Sequence, residues 1–517
     1  MKRVLAPALC LLAALFMVLP VALRPGWPYS HDYASPFERI EGFRRAFLAL
    51  DFFPTWTPFA FNGHGSPTPL IYHRLFSVVG GLISLPLGSD LGTRVTLVAF
   101  AWFGAWGLYR VARRLEIGPS RALLVAVAFL WAPYSLTDWL VRGSVAEFAS
   151  MMVLPWLLEA MVRQLQGERV WLSLGLSLAA VMHAHQSLGL YLAPLPVLST
   201  ALSLLRPGRG RALVDALEAA GLALVLTLPW LLPVLRVGDA FRLDTLKIYV
   251  PQAQYVPWER YVIDDAFAWG HTFQGFSTEL SRWLLLAAGL AVVAAFFSGA
   301  KATRPREFVF FGLIFLGAGA LQFEIATPVY QAVPKAELLQ FPWRLLGVLT
   351  PVACLLFGML IEAIARRERL WPAVATGLAL YVVVHHGLRT RQAQRLDYPA
   401  YTARGLGEKI HDLDGPWSAG EYLPKNTPST PDRTPWVTVT GCTTRRVSPP
   451  VPTHFKRLEV ELEPGPACRV VFSQFASPIL SVEGDGTRAD EGPFIAVNVP
   501  AGGKSVVVRR KNLLELW

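Results

Sequence analysis

Eight positions in this chain carry side chains that could bind or transform a polar substrate: His31, Asp32, Trp56, His64, Arg142, Glu147, His185 and Arg344. Asp32 follows the first apolar run by a few residues. A carboxylate there could act as general base on a substrate hydroxyl or help organise a divalent metal ion, and His31 could orient it or share the metal. Asp32 could equally be a turn residue flanking the next helix. Further on, Phe53-Pro54-Thr55-Trp56-Thr57-Pro58 leads into Asn62-Gly63-His64-Gly65-Ser66-Pro67. Glycines around His64 permit tight turns and exposed amides, which suit a sugar or a phosphate, although an ordinary Gly/Pro loop reads the same way.

A second group comes later. Asp138 precedes Arg142-Gly143-Ser144-Val145-Ala146-Glu147, in which Arg142 could bind a phosphate. Glu147 could pair with Arg142 or sit favourably at the positive end of a helix. In Phe341-Pro342-Trp343-Arg344 the arginine could hold a lipid phosphate bidentately or anchor a helix at the headgroups beside Trp343. His183 and His185 fall at a helix turn, a weak metal spacing and a common capping arrangement.

Positioning these groups falls to membrane helices. The 517 residues are 53% hydrophobic and 16% charged, with a mean hydropathy of +0.39, too apolar for a soluble chain of this length. Apolar runs predict about eleven transmembrane helices at 4–23, 93–111, 121–136, 146–165, 170–184, 187–204, 212–233, 281–299, 307–323, 344–365 and 371–388. The first reads as an uncleaved anchor. Net charge is +11, but the arginines cluster between apolar runs: Arg110, Arg113 and Arg114; Arg163 and Arg169; Arg206, Arg209 and Arg211; Lys301, Arg304 and Arg306; Arg366, Arg367 and Arg369. Positive charge in short loops marks the cytoplasmic side, so the excess is a topology signal and implies no nucleic-acid partner. The N-terminus is then cytoplasmic, and the loop at 24–92 lies outside.

Within that loop, Leu70 to Leu87 is apolar but carries His73, Arg74, Gly80-Gly81 and Pro86, which predicts an interfacial or re-entrant segment rather than a span. Ser35 and Glu38 form a capping box with Pro36 at the first helical position; Phe37, Ile40, Phe43 and Phe47 then share one face, predicting an amphipathic helix lying on the membrane.

Beyond residue 390 the composition turns to Pro, Gly and short β-prone runs at 436–440, 458–462, 470–472 and 505–508. The fold expected is a mainly α polytopic membrane protein, residues 1–389, with an extracytoplasmic β-sandwich-like domain over 390–517. Of four cysteines, Cys442 and Cys468 fall in that domain, where an oxidising compartment permits a disulfide. There is no nucleotide-binding loop, dinucleotide fingerprint, zinc-spaced cysteine set or nucleophile elbow.

The ordered set His31-Asp32, Phe53-Pro54-Thr55-Trp56 to Gly63-His64-Gly65, Arg142-Gly143 with Glu147, Phe341-Pro342-Trp343-Arg344 and Glu421-Tyr422-Leu423-Pro424 resembles the GT-C superfamily of integral-membrane glycosyltransferases. The likeness extends to bacterial YfhO-like proteins and the membrane family labelled 6-pyruvoyl-tetrahydropterin synthase-related, although no motif supports pterin chemistry. The resemblance implies an inner-membrane enzyme of the cell envelope. It would move a sugar from a polyprenyl-phosphate donor to a glycan, lipid or protein acceptor at the outer face, with Asp32 at the first-loop acidic position. Family members often carry an acidic pair where this chain has His31-Asp32. Two other functions fit the same residues: a transporter or flippase of lipid-linked glycans, and a non-catalytic envelope-assembly scaffold.

Overall fold

The computed structural model describes residues 2–23, 27–28, 30, 32, 35–206, 210–243, 251–262, 278–297, 304–333, 339–366, 371–395, 400–401, 422–427, 429, 431–432, 434–449 and 454–517. The chain is a mostly helical, multi-span membrane protein with a C-terminal antiparallel β domain. Each of the eleven expected segments is helical. Among the described residues, six helices are long and apolar enough to cross a membrane, and eight if the two bent pairs, Pro119–Leu130 with Pro133–Val141 and Pro305–Ala320 with Glu324–Ala332, each count once. The segments Val4–Leu19, Trp171–Ala184 and Arg282–Val293 are apolar but shorter, so the span count falls below eleven on length alone.

Local chemistry sets the helix ends. Pro119, Pro305 and Pro342 stand in first turns, where a missing N–H costs nothing. Val145–Gln166 ends at Gly167, whose φ of 88° lets the amides of Gly167 and Glu168 turn back onto Gln164 and Arg163. This helix is wrapped by protein, with 94% of its apolar window buried, whereas Arg211–Ala240 buries 17% and presents its surface to lipid.

The chain divides into two compact units: Met1–His31, Arg94–Leu226 and Lys247–Ala400 make the first, and Asp32–Thr93, Thr227–Leu246 and Tyr401–Trp517 the second. Among its described residues the second has the strands β1 (Val437–Thr440), β2 (Thr444–Ser448), β3 (Arg457–Leu462), β4 (Cys468–Phe475), β5 (Leu480–Gly484), β6 (Thr487–Arg488), β7 (Phe494–Val499) and β8 (Ser505–Arg510). They form two antiparallel sheets, β2-β3-β8-β5 and β1-β4-β7-β6. Alternation along β3 buries Leu458, Val460 and Leu462, which meet Val470, Phe472, Val497 and Val506 in a core shared by both sheets. Cys442 and Cys468 are disulfide-bonded, with Cα atoms 5.5 Å apart.

That core also takes in Trp56, Phe61, Leu70 and Ile71 from the early loop, and this revises one expectation. The Ser35–Leu48 helix does form, but Phe37, Ile40, Phe43 and Phe47 are buried in protein, and Gly81 leaves room for Phe43 and Phe47. Its apolar face is therefore spent on the second unit rather than on lipid. Ser35 Oγ donates to the carbonyl of Asp32 at 2.6 Å, tying the helix start to the turn that holds the carboxylate. Residues from Leu75 onward are helical, and Gly88, with φ 74°, turns that helix into the stretch ending at Arg114.

Candidate functional site

The first unit gathers two of the expected residues, Arg142 and Arg344, around the carboxylate of a third, Glu147. A π-turn over Thr137–Val141 is followed by Gly143, whose φ of 69° redirects the chain into the helix starting at Val145. Arg142 and Glu147 are thereby brought face to face, with Arg142 Nη1 2.9 Å from Glu147 Oε2. Arg142 Nη1 also donates to Asp138 Oδ1 at 2.6 Å. Arg344, entering from the Pro342–Leu345 turn, brings its Nε to 3.2 Å from Glu147 Oε2. The other oxygen of Glu147 accepts the Tyr134 hydroxyl at 2.6 Å. Trp343 lies under the Arg142 guanidinium, 4.4 Å from ring centroid to carbon, and Arg344 Nη1 donates to Gln340 Oε1 at 2.7 Å.

Glu147 and Asp138 are fully buried, Arg142 and Arg344 nearly so. Charges so far from water are tolerated only when paired and hydrogen-bonded, which two guanidiniums and two carboxylates achieve. The near balance of charge means that an anion here would be recognised by directed N–H donors rather than by a net positive field. Tyr134 and Asp138 were not among the expected site residues. The spacing of Asp138 and Arg142, four apart, was the available signal for one; nothing local marks Tyr134.

At the other end of the same helices lies a second set of ion pairs. Glu159 holds Arg110 at 2.7 Å, Glu168 pairs with Arg114 and with Arg163, Glu116 reaches Arg304 and Arg366, and Glu362 holds Arg121 at 2.8 Å. These pairs draw the basic loops at 110–121, 163–168, 304 and 366 onto one face of the first unit. Val145–Gln166 has Glu147 in its first turn and Arg163 in its last, so a helix of about 33 Å separates the Glu147 cluster from the arginine-rich face. Arg209, Lys301, Arg367 and Arg369 lie outside the described residues.

His185 caps the helix Gln186–Leu192, its Nδ1 accepting the Leu188 amide at 3.2 Å. That is the capping role rather than one of metal ligation.

Asp32, Trp56 and His64 belong to the second unit; His31 and Glu421 lie outside the described residues. Asp32 is half-buried in a turn. Arg39 lies over the Tyr72 ring at 3.4 Å, and Tyr72 meets Tyr422 edge-on at 5.9 Å. Burial opposes the Arg39 charge, but Tyr72, Tyr422, Asp32 and Glu38 around it raise its pKa above the ordinary arginine value.

Trp56 and His64 serve the fold of this unit. Trp56 Nε1 donates to Gln474 Oε1 at 2.9 Å, and Gln474 Nε2 returns a bond to the carbonyl of Gly63 at 2.7 Å. His64 is fully enclosed, its ring nitrogens 2.8 Å from the Ser473 carbonyl and 3.0 Å from that of Asp432. A ring so enclosed reaches no substrate in this arrangement.

Among the described residues no three His, Cys, Asp or Glu side chains stand close enough to hold a metal ion. The donor set for a divalent ion at Asp32 is thus not assembled by them.

No family model matches the chain. No curated protein matches it either. Solved structures do. An Archaeoglobus fulgidus oligosaccharyltransferase tethered to an acceptor peptide overlays with a TM-score of 0.48 at 12% identity, covering 83% of this chain and 61% of that one. ArnT from Cupriavidus metallidurans bound to undecaprenyl phosphate gives 0.41 at 15%, covering 81% and 75%. The mycobacterial arabinofuranosyltransferase AftD gives 0.46 at 14%, covering 97% and 40%. Overlays and identities this low carry no argument about activity. The chain spans about 60% of the length of the archaeal enzyme.

Proposed function

We propose that the protein is a GT-C-type membrane glycosyltransferase acting on a polyprenyl-phosphate-linked sugar. The observation that carries this reading is the convergence of Arg142, Glu147 and Arg344, from segments two hundred residues apart, on one buried cluster at the helix ends opposite the arginine-rich face. By the distribution of basic loops, that face is cytoplasmic and the cluster is extracytoplasmic. The same rule supports an N-terminus inside and a β domain outside; the inner membrane of the cell envelope rests on the sequence resemblance. The YfhO-like naming is the finer form of the proposal and rests on the sequence resemblance.

In this reading the acceptor hydroxyl oxygen attacks the anomeric carbon, the bond from that carbon to the donor phosphate oxygen breaks, and the lipid phosphate departs with the bonding pair. The role of taking the hydroxyl proton is assigned to Asp32 by the sequence resemblance alone. Arg142 and Arg344, their planes fixed by Glu147 and Asp138, donate N–H groups to the charge developing on the leaving phosphate. Such fixed donors need no reorganisation as charge moves, which is where their catalytic value lies.

The test is sugar transfer by purified protein from polyprenyl-phosphate sugars, comparing wild type with Asp32→Asn. Transfer that collapses in the variant while lipid binding persists supports the enzyme. Movement of intact donor across the bilayer with no sugar released would assign the protein to transport instead.

A further inference from the structure

The chain leaves the Ser35–Leu48 helix through a run of apolar residues that the fold keeps in the open. Leu48, Leu50, Phe52 and Phe53 are all more than half exposed, Leu50 reaching 74%. Between them Asp51 points the other way, buried against His454 Nε2 at 3.2 Å and Arg510 Nη2 at 2.5 Å. Its amide is bound by the Ala46 carbonyl at 2.8 Å, and Leu50 adopts a φ of 54°. For a leucine that left-handed backbone is costly, so the surrounding contacts over-determine it. The tip is therefore braced: one acidic residue is clamped to the sandwich, and the apolar neighbours are driven outward by the clamp.

What covers them follows from their neighbour. The Phe53 ring lies 6.0 Å from that of Trp230, near the end of the Arg211–Val237 helix. Trp517 Nε1 donates to the carbonyl of Pro229 one residue away, at 3.0 Å, and Leu514 and Trp517 are themselves exposed. That helix belongs to a 30-residue span whose surface is mostly unburied by protein. At about 45 Å it exceeds the hydrocarbon core, so its ends reach the headgroups. Aromatic and aliphatic side chains beside the end of a lipid-facing span lie at the level where aromatic belts form. Lys456, which donates to the Leu50 carbonyl at 3.5 Å, and exposed Arg457 border the patch with the charge that anionic headgroups attract.

We propose that Leu48, Leu50, Phe52 and Phe53, with Leu514 and Trp517, form a foot that inserts into the headgroup–acyl boundary and seats the β-sandwich unit on the bilayer. It replaces, as the interfacial element, the amphipathic helix face that the fold buries. It is independent of the glycosyltransferase reading.

The full chain in lipid nanodiscs tests it, with Phe52→Cys and, separately, Leu514→Cys labelled with an environment-sensitive dye. The label is selective, because Cys10 and Cys354 are buried and Cys442 is bonded to Cys468. Both positions are exposed; Phe52→Cys gives up one ring contact with Phe47 at 6.0 Å, so an unchanged elution profile checks the fold. The expected result is blue-shifted emission at both sites, lost when shallow doxyl-labelled phosphatidylcholine is included, with Thr487→Cys on the sandwich surface remaining water-like. Water-like emission at Phe52→Cys and Leu514→Cys would overturn the proposal. Blue-shifted emission insensitive to doxyl lipid overturns it too, by placing another protein surface, such as a second copy of this chain, over the patch.

Discussion

Glu147 accepts the Tyr134 hydroxyl at 2.6 Å through one carboxylate oxygen while its other oxygen stands between Arg142 and Arg344. A single buried carboxylate thus organises a phenol and two cations drawn from three parts of the sequence.

Removing that charge should be severe. Glu147→Gln removes the carboxylate that Arg142 and Arg344 share, and breaking a buried pair costs about 3–5 kcal/mol. Tyr134→Phe deletes the short bond to Glu147 and the longer one accepted from Arg142 at 3.3 Å; with both ion pairs left in place the loss is about 1.5–3 kcal/mol. Thermal unfolding of the detergent-purified variants should rank them in that order; equal midpoints would mean the cluster does not act as a unit.

The Asp51 clamp should loosen in acid. Burial alone would raise the Asp51 pKa, but the hydrogen bond from His454 and the Arg510 charge hold it below the ordinary aspartate value. A carboxyl depressed on folding stabilises the folded state above its unfolded pKa of about 3.9, and that contribution is lost as pH falls through the folded value. Hydrogen exchange across residues 46–56 should accelerate below pH about 4 in the wild type. In Asp51→Asn the exchange should be fast already at neutral pH and insensitive to acid over the same window.

Gly65 is required by its conformation and by its neighbour. Its φ is 88°, and a Cβ there would overlap the Trp56 indole. Gly65→Ala should therefore combine backbone strain of about 1–3 kcal/mol with displacement of Trp56 from Gln474. The readout is protease sensitivity of the 55–66 loop, and a variant as resistant as wild type would contradict this account.

The Cys442–Cys468 bridge closes a separation of 26 residues, for which loop entropy gives about 3.5 kcal/mol of stabilisation. Cys442→Ser with Cys468→Ser should lower the unfolding midpoint of the sandwich, and reduction of the wild type should reproduce the loss.

The eleven helical segments could be read from sequence because each is a long apolar run, a signal that survives without knowledge of neighbours. The arginine clusters likewise reported a shared face, now drawn together by Glu116, Glu159, Glu168 and Glu362. The strands β3 and β8 announced themselves by alternation and β-branched runs. Trp56 and His64 read as binding residues because a glycine-flanked aromatic loop looks the same whether a sugar or a sandwich fills it. What encloses them, Gln474 and the carbonyls of Ser473 and Asp432, lies about four hundred residues away and leaves no local trace. Arg39 was hidden for the same reason: Tyr72 and Tyr422 converge on it from separate segments.

The bond from Trp56 to Gln474 joins residues 418 apart. At ribosomal rates of 5–20 residues per second, roughly 20–80 s pass between the synthesis of the two. During that interval Trp56, Phe61 and His64 await the strands that will enclose them, and the last of these, β8, carries the Arg510 that clamps Asp51. Biogenesis of the second unit is therefore gated by the synthesis of β8, so a nascent chain arrested before β8 would display an uncovered aromatic loop to the quality-control machinery.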